Sequence, residues 1–249
     1  MFSLDGQAAF VTGAGQGLGA AIAQGLAEAG AGVMLTDVDA AAVKAVAAHL
    51  QEAGHRCRAM ALDVRDETAF AGCFEAAVAH FGAIDLLVNN AALTPSTSLW
   101  DITAGEWDEV MAVNLRGSFF GCRIAGRHMS GRGAGRIVNL ASIAGQQASA
   151  ATGAHYAASK AGLIALTRSF AQALAADGVT VNTIAPAAIR SPLLDAMAPE
   201  RQQALLGGIP LGRFGEAQEV AAAVVYLGSA AGAFITGTTL DLNGGRFMR

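Results

Sequence analysis

Ala8-Ala9-Phe10-Val11-Thr12-Gly13-Ala14-Gly15-Gln16-Gly17-Leu18-Gly19 is the stretch whose reading decides the fold. An apolar run, Ala8 to Val11, enters a glycine turn and then a helical pattern from Ala20 to Ala29. That order builds an anion site, because the first N–H groups of a helix lack intrahelical partners and face a phosphate. Gly13 permits the tight turn, Gly17 lets backbone approach a pyrophosphate, and Gly19 lets the helix lie close to the strand. The spacing is Gly-x-x-x-Gly-x-Gly, not the Gly-x-Gly-x-x-Gly of the standard dinucleotide fingerprint. No Gly-Lys-Ser/Thr follows, which argues against a nucleoside-triphosphate loop.

Outward from this turn, apolar segments at 8–11, 32–36, 57–61, 84–88, 136–140, 179–184 and 238–242 read as strands. Between them helical patterns fall near 18–29, 39–53, 67–81, 104–129, 155–176, 193–206 and 216–228. The alternation predicts an α/β fold: a single-domain, doubly wound (Rossmann-like) three-layer sandwich with a mostly parallel seven-stranded sheet over residues 1–249. The longest excursion, 185–215, carries Pro186, Pro192, Pro199 and Pro210 and reads as a substrate-binding loop or lid.

Hydrophobic residues are 53% and charged residues 14%, which suits a sheet covered on both faces and an apolar subunit interface. No segment reads as a membrane span or a secretory leader, and a cytoplasmic location is expected. Cys57, Cys73 and Cys122 are widely spaced and odd in number, so buried free thiols are expected and no metal site. A net charge of -4 argues against a nucleic-acid partner. The basic run Arg123, Arg127, Arg132 and Arg136 reads as the polar side and C-terminal end of a helix.

Chemistry enters with His155-Tyr156-Ala157-Ala158-Ser159-Lys160. Tyr156 and Lys160 are four apart and share a helix face, where an ammonium favours the phenolate. A phenol with a reference pKa of about 10 needs such help to act as a base near neutrality. The chain keeps Lys here although fourteen of its sixteen basic residues are Arg. His155 projects away from Tyr156 and reads as a packing or interface residue.

Together these motifs resemble the classical short-chain dehydrogenase/reductase family over essentially the whole chain. Thr12-Gly13-x-x-x-Gly17-x-Gly19, Asn89-Asn90-Ala91-Ala92 and the ordered set Asn114, Ser142, Tyr156 and Lys160 carry the resemblance. It implies that Tyr156 exchanges a proton with the carbonyl or alcohol oxygen and that Ser142 hydrogen-bonds the same oxygen. Lys160 would hold the nicotinamide ribose and lower the Tyr156 pKa, and Asn114 would hold a water on a proton path. Asp63 and Val64 would meet the adenine, Asn89 begins the turn beneath the cofactor, and Ile189 and Ser191 would address the carboxamide. Gln16, Leu18, Ala91 and Pro186 complete the cofactor contacts. Two departures stand out: Pro186-Ala187 replaces the usual Pro-Gly, and Ala92 replaces the usual glycine.

Asp37, at the end of the second strand, can accept from both adenosine ribose hydroxyls and repel a 2′-phosphate, so NAD(H) is expected over NADP(H). It could also cap the next helix. The candidate substrate pocket is Leu93, Thr94, Ile143, Ala144, Gln146, Thr152, Leu193, Leu194 and Met197. Its mostly apolar, uncharged character favours a small neutral secondary alcohol or ketone. The resemblance leaves a 3-oxoacyl thioester reductase and a sugar or polyol dehydrogenase open. A non-catalytic nucleotide-binding regulator would show a damaged tetrad, and none is seen. A homotetramer is expected, built partly on the helices at 104–129 and 155–176.

Overall fold

The computed structural model describes residues 2–148 and 152–248, apart from the side chains at 192 and 193. Strand alternation sets its layers. In β1 (Ala8–Thr12), Ala9 and Val11 enter one core while Ala8 and Phe10 enter the other, as a period of two requires. The first core is closed by α1 (Gly17–Glu28), α2 (Ala40–Glu52) and α9 (Ala217–Gly228). The second is closed by α3 (Glu67–Phe81), α5 (Ser118–Ser130) and α6 (Ala154–Leu174).

The remaining strands are β2 (Gly32–Asp37), β3 (Cys57–Ala61), β4 (Leu86–Asn89), β5 (Gly135–Leu140), β6 (Val179–Pro186) and β7 (Thr239–Leu242). They form one seven-stranded sheet in the order β3-β2-β1-β4-β5-β6-β7, and every pairing is parallel. The order reverses between β1 and β4. In an open α/β sheet the crevice beyond the strand C-termini at such a reversal is where ligands bind.

The expected doubly wound sheet is therefore present, but two helices differ from their sequence reading. The pattern at 104–129 is not one α-helix: α4 (Ala104–Met111) passes through a π-helical turn, Ala112–Gly117, before α5. Apolar periodicity cannot register that one-residue slip. The segment near 193–206 divides into α7 (Pro192–Asp195) and α8 (Pro199–Leu206), because Pro199 starts a new helix at its first turn. Arg132 and Arg136 also leave the expected helix surface. Arg132 pairs with Asp85 at 2.8 Å beyond α5, and Arg136 lies in β5. Cys57, Cys73 and Cys122 are buried and free. Burial pushes the Cys122 thiol up to about 12, which leaves it inert. Among the described residues no helix is long and apolar enough to cross a membrane, and no cluster of metal-ligating side chains occurs.

Candidate active site

The glycine turn is held by β4's loop as much as by its own sequence. Thr12 Oγ1 accepts from the N–H groups of Asn90 (3.0 Å) and Ala91 (3.1 Å). The Asn90 amide donates back to the carbonyls of Thr12 (3.0 Å) and Gly13 (2.9 Å). Gly13 and Gly17 take φ of 65° and 53°, the left-handed region open to glycine. A Cβ on Gly19 would stand 2.0 Å from the Gly13 carbonyl oxygen and 2.5 Å from Asn90 Nδ2. At Gly17 the same atom would meet nothing within 4 Å, so that face is open to a ligand. Gln16 is exposed at the start of α1 and makes no side-chain cap, while Leu18 packs half-buried on the core.

Asp37 ends β2 beside this turn. Its carboxylate accepts from the N–H groups of Gly15 (2.9 Å) and Asp39 (3.0 Å). The cap of α2 is Asp39, whose Oδ1 accepts from Ala41 and Ala42, so the capping alternative for Asp37 is corrected. Asp63 is engaged by Arg65 at 2.6 Å, and that guanidinium holds its carboxyl below the usual range. Val64 is buried against Gly117 of the π turn. Asn89 serves the sheet with its side chain. Its amide donates to Asn139 Oδ1 (2.8 Å), which continues through Asn139 to Thr167 (2.8 Å) and Thr183 (2.7 Å). Spacing alone offered no sign of that buried polar chain.

The tetrad residues converge from three elements. Ser142 follows β5, and it lines one groove with Thr94 and Tyr156. Tyr156 and Lys160 lie on α6, and both are buried. Lys160 Nζ donates to the Leu140 carbonyl at 2.6 Å and sits 5.6 Å from the centre of the Tyr156 ring. Burial lowers the Lys160 pKa to about 8. Burial likewise raises that of Tyr156, against the pull of Ser142 and Thr94. In this geometry the ammonium donates to a backbone carbonyl.

Asn114 sits in the π turn, fully buried. Its Oδ1 accepts from Leu93 N–H (2.8 Å), and its Nδ2 donates to the Leu93 carbonyl (2.9 Å) and to Ser159 Oγ (3.1 Å). The side chain anchors the loop after β4 to α6.

One groove of about 790 Å³ brings the two predicted groups together, lined by Gly17 and Leu18 on one side and by Thr94, Ser142, Tyr156, Pro186, Ile189 and Ser191 on the other. The expected pocket residues divide. Leu93 and Thr94 are exposed on the loop, and Ile143 and Ala144 are buried beside Ser142. Gln146 turns its amide to Asp241 of β7 at 2.6 Å, and the Thr152 hydroxyl is buried without a protein partner. Leu194 and Met197 belong instead to a small cluster with Ile209 and Phe214 that stabilises the 185–215 segment from within. The Leu193 side chain lies outside the described residues. Ala187 N–H donates to the Leu242 carbonyl at 3.0 Å, and no non-glycine residue among those described has positive φ. The departure from Pro-Gly is therefore accommodated without left-handed backbone.

Residues 13–246 match the family described as Enoyl-(Acyl carrier protein) reductase. The chain is 39% identical over 246 residues to 3-oxoacyl-[acyl-carrier-protein] reductase of Vibrio cholerae, covering 99% of each chain. It is 40% identical over 238 residues to cis-4-hydroxycyclohexanecarboxylate dehydrogenase of Sinomonas cyclohexanicum, covering 95% of each. A crystal structure of a dehydrogenase/reductase from Sinorhizobium meliloti 1021 superposes with a TM-score of 0.93 at 37% identity, covering 99% of this chain and 97% of that one. The protein belongs to the short-chain dehydrogenase/reductase family. It is an oxidoreductase with a Rossmann-like sheet and binds a nicotinamide cofactor.

Proposed function

We propose that this enzyme interconverts a ketone and a secondary alcohol with NAD(H), using Tyr156 as the proton donor or acceptor. The observation that carries the reading is the shared groove, which joins Gly17 of the phosphate turn to Ser142 and Tyr156. When bound, a reduced nicotinamide supplies hydride to a carbonyl carbon. Tyr156 gives its proton to the carbonyl oxygen, and Ser142 donates to the same oxygen as charge develops there. In the oxidative direction the phenolate must form first, so turnover rises with pH. The tetrad is complete, which supports an enzyme over a nucleotide-binding regulator.

For the substrate, similarity to 3-oxoacyl-[acyl-carrier-protein] reductases favours a 3-oxoacyl thioester over the small neutral alcohol or ketone expected from pocket composition. A 3-oxoacyl group reacts at a ketone carbon, so the chemistry at Tyr156 is unchanged. The relative acting on a hydroxycyclohexanecarboxylate supports a cyclic alcohol as the second reading. Initial rates with 3-oxoacyl thioesters, cyclic ketones and sugar-derived ketones, each with NADH and NADPH, separate these classes. The 185–215 segment, with its own small core, is proposed as the lid over this site.

NAD(H) preference rests on Asp37. Asp37→Ala is expected to raise the NAD(H) Kd at least about 10-fold, since a charge-assisted hydrogen bond is worth about 1.5–3 kcal/mol. It also removes repulsion of a 2′-phosphate, so NADP(H) binding improves. Asp37 accepts from Gly15 as well, and Asp37→Asn keeps that acceptor while discarding the charge. Unchanged selectivity in titrations of both variants at matched ionic strength rejects the assignment.

A homotetramer is part of the same reading. A groove with an apolar floor of Met111, Leu115, Phe119, Gly162, Ala165 and Leu166 and a charged rim of Arg65, Asp108, Glu109 and Arg116 opens where α4, the π turn and α5 meet α6, and such a face suits burial against another copy. Light scattering across a dilution series should show dissociation with parallel loss of turnover, because α6 carries Tyr156 and Lys160. A stable monomer of full specific activity contradicts both points.

A further inference from the structure

Next to Tyr156 lies a polar cluster that the proton-transfer chemistry above leaves unused. His155 is 0% exposed, and its Nε2 is 3.3 Å from Glu106 Oε1 on α4. Its ring stacks on Trp107 with centroids 6.5 Å apart and packs against Gly153, where a Cβ would stand 2.3 Å from it. Glu106 also accepts from the Thr97 hydroxyl at 2.5 Å, and this bond, then His155, holds its carboxyl below the usual range. Thr97 ends the loop that carries Thr94, and the rest of that loop is tied down too. Leu93 is held by Asn114 on both backbone groups, and the Pro95 carbonyl accepts from Gly153 N–H at 3.1 Å. Burying an imidazole is costly unless it is paired, and the partly exposed Glu106 is the carboxylate within reach of His155. Here the pair spans the two elements whose separation sets where Thr94 stands relative to Tyr156.

We propose that Glu106, His155 and Thr97 are positioning residues for proton transfer: they clamp the 93–97 loop to α6 so that Thr94 stays beside Tyr156 in the groove the two share. Thr94 then shares with Ser142 the task of stabilising the phenolate. A donor to the ionised form lowers a pKa, so loosening the clamp moves the ionisation of Tyr156 upward. The ionisable group facing His155 from outside its own helix is Glu106, while Tyr156 and Lys160 lie on α6 itself. This inference rests on Tyr156 being the proton donor and acceptor.

The test compares Thr97→Val, Thr97→Ser and Glu106→Ala in the oxidative direction, recording kcat against pH, NAD(H) Kd and thermal midpoint. Thr97→Val is expected to lower kcat at neutral pH about 3- to 10-fold and to move the rising limb upward by about half a unit to one unit. NAD(H) Kd stays within twofold. Thr97→Ser restores the limb, Glu106→Ala reproduces the shift, and Thr97→Val with Glu106→Ala goes no further than either alone. A limb that stays in place while only the thermal midpoint falls overturns the proposal and leaves a structural tie. Tyr156→Phe run alongside separates the two levels. If it stays active the tyrosine assignment fails, and if it is inactive with an unmoved limb in Thr97→Val, only the clamp fails.

Discussion

Tyr156→Phe is expected to lower turnover at least about 10²-fold, the usual yield of a positioned proton donor, with NAD(H) affinity nearly intact. The substitution deletes one oxygen and keeps the ring, so the packing of a side chain 8% exposed is retained. What disappears is the hydroxyl of the side chain that shares a groove with Ser142 and Thr94. Lys160 keeps its bond to the Leu140 carbonyl and does not depend on the phenol for its place, which is why binding and chemistry should separate. Single-turnover hydride transfer with the native substrate, beside an NADH titration, reads both quantities. Near-wild-type transfer would mean that another group moves the proton.

Gly19→Ala is expected to abolish useful cofactor binding, with the NAD(H) Kd rising at least about 10²-fold. The added methyl would meet the Gly13 carbonyl oxygen at 2.0 Å, the Gly13 carbonyl carbon at 2.8 Å and Asn90 Nδ2 at 2.5 Å. Two of these atoms are backbone of the phosphate turn, so the strain cannot be relieved by a rotamer change. Overpacking of this kind costs about 1–3 kcal/mol and occasionally more. Either the start of α1 retreats from β1 or the Asn90 bonds to Thr12 and Gly13 break, and each displaces the N–H groups that would meet a pyrophosphate. Gly17→Ala is the contrast. Its Cβ meets nothing within 4 Å, and its cost is the left-handed backbone at φ 53°, about 1–2 kcal/mol. A Gly19→Ala protein that binds NADH normally would show that the turn is not set by this contact.

The sheet was legible because its signals are local and repeated. Ala8 to Val11 is apolar throughout since a parallel strand is buried on both faces, and the glycine turn follows it at a fixed distance. Tyr156 and Lys160 were legible for a similar reason: a helical period fixes which side chains share a face, whatever surrounds the helix. Asp37 too could be placed, at the end of a strand beside the glycine turn.

What the chain did not disclose was which polar groups were already taken. The Asp63 carboxylate goes to Arg65, the Asn89 amide to Asn139, and the Lys160 ammonium to the Leu140 carbonyl. Leu194 and Met197 turn into the core of their own segment. Each outcome depends on partners at separations unrelated to helix or strand period. By itself the sequence determined the element order, the parallel sheet, the phosphate turn and the residues able to carry proton chemistry, because periodicity and residue type are sufficient for those. Only the tertiary structure decided the π turn that buries Asn114, the clamp of Glu106 on His155, and the opposed shifts of Tyr156 and Lys160. Those follow from burial and long-range hydrogen bonding, which come into being when distant elements pack.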